Sequence, residues 1–241
     1  MLTTIKSASM AGVQGQPVDV AVHVADGLPG FTVVGKGDAV CREVGGRVRA
    51  AIISSGYEWP MKQITVNLAG PVHASTRDLD LATAVGVLAA SGQVDLGGSQ
   101  RSAGLVGGLG LDGSVRAIAG TLPLAEALDT DDVVVPAADA PTAAAVAGDR
   151  TKAAQSLRGV CGALSGETPW PDPPPSPRRP PNRSDGRDLS DVRCPEHALR
   201  AMEIAAAGGH NLLFVGPPGG GKAAMALRMD GILPDLSLIH I

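Results

Sequence analysis

The sequence predicts a mixed α/β protein built as two units, the second of which contains a glycine-rich loop. Three observations predict this organisation. Short stretches with alternating apolar residues are interleaved with stretches whose apolar residues recur four apart. A proline-rich segment interrupts the 241-residue chain near residue 170. Beyond it, a glycine-rich sequence ending in Lys222 lies between an apolar run and a helical pattern.

The composition indicates a buried core and argues against several function classes. Apolar residues make up 44% of the chain and charged residues 18%, as in folded domains. Two Phe, one Tyr and two Trp provide no aromatic platform for stacked bases, which argues against RNA-recognition and single-strand-binding modules. The net charge of −4 provides no overall basic field for a polyanion. Three widely spaced cysteines predict a protein of the reducing cytoplasm without a disulfide framework. The scattered histidines predict no metal site, and without a long apolar run no membrane span is expected.

The first unit is predicted to be an α/β domain over residues 1–165. Alternating valines predict a strand over residues 17–25. Apolar residues spaced by four predict a helix over residues 38–55, with Asp38 as its N-cap and Gly56 as its end. Similar patterns predict strands at 31–34, 63–69 and 133–135, a hairpin over 105–118 that turns at Asp112 and Gly113, and helices at 79–91, 122–128, 141–147 and 152–163.

A stiff, extended linker is predicted over residues 166–188. Eight of the thirteen residues from 169 to 181 are proline. Residues 177–187 carry four arginines and one aspartate, a charge of +3. Such a stretch is typical of a solvated linker, and contact with nucleic-acid phosphates is the alternative.

The second unit, residues 189–241, is predicted to begin a nucleotide-binding domain. A helix over residues 194–207 precedes a buried strand at 211–215, and a helical pattern at 224–229 follows the glycine-rich loop. Strand, glycine-rich turn, lysine and helix form the context of a phosphate-binding loop, whereas a merely flexible glycine loop has no reason to have these flanks. The candidate ATP-binding residues are Gly216, Pro217, Pro218, Gly219, Gly220, Gly221, Lys222 and Ala223.

These residue types suit a phosphate ligand but not its metal ion. Glycines let backbone N–H groups converge on phosphate oxygens, and Lys222 can reach the β- and γ-phosphates. Ala223 stands where Ser or Thr would supply a hydroxyl ligand to Mg²⁺. We therefore expect phosphate binding to survive better than metal positioning and hydrolysis.

Hydrolysis is not expected of this chain alone. The motor proteins that use such a loop need a second acidic residue at a strand end and an arginine from a neighbouring subunit. Only 19 residues follow Lys222, and their two acids, Asp230 and Asp235, do not follow an apolar strand. The second unit is thus expected to be truncated, with its strand lacking neighbours and its nucleotide binding weak or absent.

Five segments carry a family resemblance that covers most of the chain: residues 1–35, 47–69, 125–129, 191–222 and 231–234. In these segments the chain resembles the magnesium-chelatase-like ATPases of the ComM (YifB) family. The resemblance implies a Lon-protease-like, ribosomal-S5-domain-2-like fold for the first unit and the start of a ring-forming, hexameric AAA+ module for the second. It also implies ATP and Mg²⁺ as cofactors and branched DNA as a partner, in recombination of incoming DNA during competence.

Three alternative functions stay open. The strongest rival is a non-catalytic assembly or interaction domain formed by residues 1–165. A Lon-type peptidase needs a serine activated by a lysine, but no serine here has an Asp-Gly-Pro-Ser-like setting. A magnesium chelatase subunit is suggested only by the family name. The serines and lysines open to the peptidase reading are Ser75, Ser91 and Ser102 with Lys6, Lys36, Lys62 and Lys152.

Overall fold

The computed structural model describes residues 1–70, 76–96, 102–171 and 188–233. The chain divides into two compact units, Met1–Ser176 and Pro177–Ile241, called unit 1 and unit 2 below. Part of the predicted linker and the chain's last eight residues therefore lie outside the description. No helix of the described residues is long and apolar enough to cross a bilayer.

Unit 1 is a mixed α/β structure with a mostly parallel sheet. The strands are β1 (Leu2–Ala11), β2 (Gln14–Ala25), β3 (Gly30–Val33), β4 (Gln63–Ala69), β5 (Ala103–Leu105), β6 (Gly108–Leu109), β7 (Val115–Arg116), β8 (Asp132–Pro136) and β9 (Thr151–Ala154). Seven of them pair in the order β3-β4-β2-β1-β5-β8-β9, and a separate hairpin pairs β6 with β7. Four of the six neighbouring pairs in the large sheet are parallel. The helices are α1 (Asp38–Ser54), α2 (Asp80–Ala90), α3 (Thr121–Glu126), α4 (Ala140–Ala147) and α5 (Leu157–Leu164).

Helices cover both faces of the large sheet. Successive strand residues point to opposite faces, and β8 shows this directly. Val134 packs into the larger core cluster with residues of α1, α2 and α5, whereas Val133 and Val135 pack into a second cluster with residues of α3 and α4. Every residue of α2 is buried, which explains why its sequence is apolar apart from Asp80 and Thr83.

Most predicted elements of unit 1 are confirmed, including the strand that became β4 and the hairpin turning at Asp112 and Gly113. Strand β1 was not predicted, although it pairs with β2 along its whole length, from Leu2 opposite His23 to Ala11 opposite Gln14. Its apolar alternation is broken by Ser7 and Ser9, both almost fully buried. The Ser7 hydroxyl satisfies its burial by donating to the Leu105 carbonyl oxygen at 2.6 Å.

Two local predictions for unit 1 are wrong. Residues 152–163 were expected to be one helix, but the chain forms β9 and then α5. The parallel ladder with β8 satisfies the backbone at Thr151–Ala154, and the Ser156 hydroxyl then caps α5 by accepting a hydrogen bond from the Gly159 N–H. Asp38 is not the N-cap of α1, because Gly37 occupies that position without a side-chain bond and Asp38 lies in the first turn.

The described part of unit 2, residues 188–233, contains two helices, α6 (Glu196–Gly208) and α7 (Lys222–Ala226), with single 3₁₀ turns at Leu189–Asp191 and Met229–Gly231. The predicted strand at residues 211–215 is wrong, because this stretch is irregular and Leu213 and Val215 are 84% and 87% exposed. A strand needs a neighbour for its backbone groups. Residues 188–233 contain no other strand that could serve as one.

Candidate phosphate-binding loop

The glycine-rich loop of unit 2 runs from residue 216 to 221 and leads directly into α7. Gly219 and Gly221 have φ angles of 82° and 73°. Residues with a side chain rarely adopt this left-handed backbone conformation, whereas glycine adopts it at no steric cost. The loop conformation is therefore specified by its own glycines, without the strand that was expected before it.

Lys222 folds back across this loop. Its ammonium group donates to the carbonyl oxygens of Gly216 at 2.9 Å and Pro217 at 2.6 Å. The Gly220 N–H also approaches the Pro217 oxygen, at 3.4 Å. A positive charge is consequently held at the centre of the loop, on partners that a more strongly charged acceptor can replace.

The donor groups around Lys222 fit a phosphate chain. The first N–H groups of a helix have no intrahelical partner, so those of Lys222, Ala223 and Ala224 are available at the start of α7. The sequence from Gly216 to Ala226 contains no acidic side chain that would repel an anion. The donor set of backbone N–H groups and one ammonium is thus that of an anion site.

The same residues do not fit Mg²⁺. This ion takes oxygen ligands, usually from carboxylates, hydroxyls and phosphates. The Ala223 methyl group offers none at the position after the lysine. The loop therefore supplies no protein ligand for the metal that accompanies ATP.

Arg228 stabilises this part of unit 2 and was missed by the sequence analysis. Its Nη1 donates to the Ala224 carbonyl oxygen at 3.0 Å, and its Nε donates to the backbone carbonyl oxygen of Asp188 at 3.1 Å. The first bond spans one helical turn, but nothing in the sequence indicates the second, which joins residues 40 positions apart. Asp188 in turn caps the 3₁₀ turn that follows it, and hydrogen bonds from Ser190 lower the pKa of its carboxyl group.

The described residues do not assemble the serine–lysine pair of a peptidase. The Ser91 hydroxyl donates to the Leu88 oxygen, and the Ser102 hydroxyl donates to the Asp131 carboxylate. Ser75 lies outside the description. Three of the four candidate lysines face carboxylates instead: Lys6 with Asp19 at 2.8 Å, Lys62 with Asp26 at 2.8 Å and Lys152 with Asp132 at 3.7 Å.

Comparison with known proteins identifies the family. A model for subunit ChlI of Mg-chelatase matches residues 20–139, and a model for magnesium chelatase, subunit ChlI, matches residues 188–240. The chain is 39% identical over 239 residues to YifB of Escherichia coli, which covers 98% of this chain and 47% of that protein. It is 36% identical over 242 residues to competence protein ComM of Haemophilus influenzae, with the same coverage of 98% and 47%. The chain is a ComM-like member of the magnesium-chelatase family.

The ComM-like chain spans about half the length of the curated relatives it matches. An uncharacterized protein of Mycobacterium tuberculosis, 36% identical over 244 residues, is covered to 46% of its length. The second family match contains the glycine-rich loop and Lys222, and the first contains most of the large sheet of unit 1. The ComM-like chain therefore belongs to a family of AAA+ proteins.

Proposed function

We propose that residues 216–223 bind the phosphates of ATP and that the chain forms part of a ring-shaped ComM-like motor that handles DNA. The observation that carries the proposal is the position of Lys222, whose ammonium group lies inside a loop made of left-handed glycines at the start of a helix. We place the protein in a reducing cytoplasm, which its free cysteines support. For unit 1 we propose the Lon-protease-like, ribosomal-S5-domain-2-like fold, which the mixed sheet with helices on both faces supports.

The loop residues have separate tasks in this proposal. Lys222 releases the two carbonyl oxygens and pairs with phosphate oxygens, which attract its charge more strongly. The N–H groups at the start of α7 donate to the same phosphates. ATP supplies the phosphoanhydride bond whose hydrolysis drives a motor. Ala223 adds no metal ligand, so nucleotide binding by this loop is largely independent of Mg²⁺.

The proposal is tested by titrating a fluorescent ATP analogue into the full chain with and without Mg²⁺. We expect weak, saturable binding that falls at least about tenfold in Lys222→Ala, since a charge-assisted bond is lost. Arg200→Ala removes an equal charge from the exposed surface of α6 and is expected to leave binding unchanged. Binding that persists in Lys222→Ala, or no binding by the parent chain, would refute the proposal for this chain.

The DNA-handling part rests on the relationship to ComM, which is described as a competence protein. A net charge of −4 means that any DNA contact is local. Gel-shift assays of the full chain with a four-way junction and a linear duplex of equal length test this part. We expect preference for the junction, and equal affinity for both would count against it.

A second candidate is an assembly or docking function of unit 1. The observation in its favour is that unit 1 has two continuous buried clusters, whereas unit 2 leaves Leu213 and Val215 exposed. Analytical ultracentrifugation of the full chain without nucleotide tests this alternative. Self-association that is independent of ATP and unchanged in Lys222→Ala would favour it.

A further inference from the structure

Helix α1 has two exposed arginines, Arg42 and Arg49, that form no hydrogen bond or ion pair with any residue that the structure describes. They are seven residues apart, which is two helical turns and about 10.5 Å along the helix axis, so both side chains leave α1 on the same side. Arg47 differs, because its guanidinium is bound to Asp80 at 2.8 and 3.1 Å and to Glu43 at 2.5 Å. Two of the three arginines of α1 therefore keep their charge and their donors for a partner.

The charge around these arginines is positive, although that of the whole chain is negative. Residues 36–54 contain four basic and two acidic side chains, a charge of +2, whereas the chain as a whole carries −4. Of the two acids, Glu43 is paired with Arg47, and Asp38 lies in the first turn of α1. A negatively charged chain can bind a polyanion only through a local surface of this kind.

Gly46 lies on the helix surface between the two arginines, four residues after Arg42 and three before Arg49. Packing explains its neighbour Gly45, where a Cβ atom would lie 2.8 Å from the Phe31 ring. A Cβ atom on Gly46 would meet nothing within 4 Å, so packing does not explain a residue that lowers helix stability relative to alanine. The missing side chain leaves the helix backbone open to close approach by a partner between the arginines.

A nucleic-acid backbone suits this surface better than an apolar partner does. Each strand of duplex DNA has one phosphate per about 3.4 Å of axis, so the separation of Arg42 and Arg49 corresponds to about three phosphate steps. The guanidinium group donates in a fork that matches phosphate oxygens. Protein–protein interfaces instead need apolar anchors at their centre. On α1, all of whose residues the structure describes, Ile53 is the one large apolar residue that is exposed.

We propose that the exposed face of α1 formed by Arg42, Gly46 and Arg49 contacts the phosphate backbone of duplex DNA. Each guanidinium donates to a phosphate, and the DNA strand passes over Gly46. Because the contact is made to the backbone alone, it is independent of base sequence. The inference rests on the proposed DNA-handling role and adds to it a DNA-contacting surface in unit 1.

The test is fluorescence anisotropy of a labelled duplex titrated with the full chain at several salt concentrations. Each phosphate that a protein neutralises adds about 0.9 to the slope of the logarithm of the association constant against the logarithm of the salt concentration. We expect Arg42→Gln and Arg49→Gln each to reduce the magnitude of this slope by about 0.9, and the double variant to reduce it by about 1.8. The double variant should also bind at least about tenfold more weakly at the lowest salt concentration.

Matched variants separate this face from the effect of charge in general. The double variant Arg193→Gln with Arg200→Gln removes the same charge from two exposed arginines of unit 2, also seven residues apart, and is expected to keep the slope of the parent. Gly46→Glu places a carboxylate between the arginines, whereas Gly46→Gln adds a side chain of the same size without the charge. Since the space around Gly46 is open, both variants should fold, and we expect Gly46→Glu to bind DNA more weakly than Gly46→Gln.

The outcomes distinguish this inference from the proposed function. If the parent binds DNA and the Arg42 and Arg49 double variant keeps the parent's slope, or if the unit 2 control loses as much, the inference is overturned and the DNA-handling role stands. If the parent binds neither duplex nor four-way junction, both fall. Phosphatidylserine vesicles provide the other anionic surface, and arginine-dependent binding to them without binding to DNA would overturn the choice of partner.

Discussion

The buried ion pair between Arg47 and Asp80 is expected to have a large coupling energy in a double-mutant cycle. An equally short ion pair on the surface is expected to have a small one. Arg47 Nε lies 2.8 Å from Asp80, and the two side chains are 16% and 1% exposed. The Lys6–Asp19 pair has the same 2.8 Å distance, but its side chains are 59% and 42% exposed. The two pairs therefore differ in solvation and not in length.

The expected magnitudes follow from this difference. Arg47→Met leaves the Asp80 carboxylate buried without its partner, which costs about 3–5 kcal/mol. Asp80→Ala costs less, about 3 kcal/mol, because the Arg47 guanidinium still pairs with Glu43 and stays partly solvated. The double variant removes both charges and is expected to be much less destabilised than the sum, with a coupling energy of about 2–3 kcal/mol. The Lys6–Asp19 pair is expected to couple by less than about 1 kcal/mol.

The assay is urea unfolding of the four proteins of each double-mutant cycle at pH 7 and moderate salt. Far-UV circular dichroism follows the transition, because all the described strands and most of the described helices lie in unit 1, and equal m-values are required before free energies are compared. Equal coupling energies in the two cycles, or a coupling below about 1 kcal/mol at Arg47–Asp80, would refute the argument that burial governs this interaction.

Three further predictions concern stability. Gly15→Ala places a Cβ 2.5 Å from the Pro123 carbonyl carbon and 2.9 Å from the Leu124 nitrogen, so thermal unfolding should show a loss of stability of about 1–3 kcal/mol. Gly46→Ala lies in helix α1 with open space around it and should instead raise the stability by about 0.5–1 kcal/mol. Equal effects of the two substitutions would contradict the steric reason. Ser156→Ala removes the cap of α5 and should cost about 1 kcal/mol in urea unfolding, with Ser156→Thr as the control that keeps it. Burial raises the pKa of the Asp78 carboxyl group above 3.8, so between pH 3.8 and the pKa of the folded state the folded chain binds more protons than the unfolded chain. The contribution of this group to the free energy of unfolding therefore falls as the pH rises through that range. Asp80 shifts in the same direction, so the measurement is the difference between the parent and Asp78→Asn across pH, and a difference that does not change with pH would show the reasoning to be wrong.

The elements that the sequence predicts well are those whose pattern is decided locally. Val18 to Val24 alternate strictly and form a strand with one buried face, and Asp112 with Gly113 turns a hairpin through a glycine with φ of 82°. The elements missed depend on neighbours far along the chain. β1 carries buried serines because Ser7 finds the Leu105 oxygen, 98 residues away. β9 is a strand because the backbone of β8 pairs with it in a parallel ladder, although the Lys-Ala-Ala sequence of β9 suits a helix equally well.

The candidate loop shows the same division. Its glycines and Lys222 determine their geometry within a few residues, so the positions expected to bind phosphate lie together as their spacing required. The strand expected before them is not formed, since Leu213 and Val215 have no partner strand in the described part of unit 2. A cavity of unit 1 that is lined by Ser9, Asp78 and Arg116 was not foreseen, because its walls come from five separate segments of this unit. Only the fold brings Ser9, Asp78 and Arg116 together.

The bonds of Lys222 to its own loop have a further consequence for binding. An ammonium held by two neutral carbonyl oxygens is already partly desolvated and fixed in position. A phosphate that replaces these acceptors exchanges neutral partners for charged ones, which are about twice as strong, and pays little additional side-chain entropy. The two carbonyl oxygens are exposed and return to water, so releasing them costs little. The lysine contacts thus favour phosphate binding, whereas nothing equivalent is provided for a metal at Ala223. Under the proposed function, phosphate binding and metal positioning therefore depend on different residues of this loop.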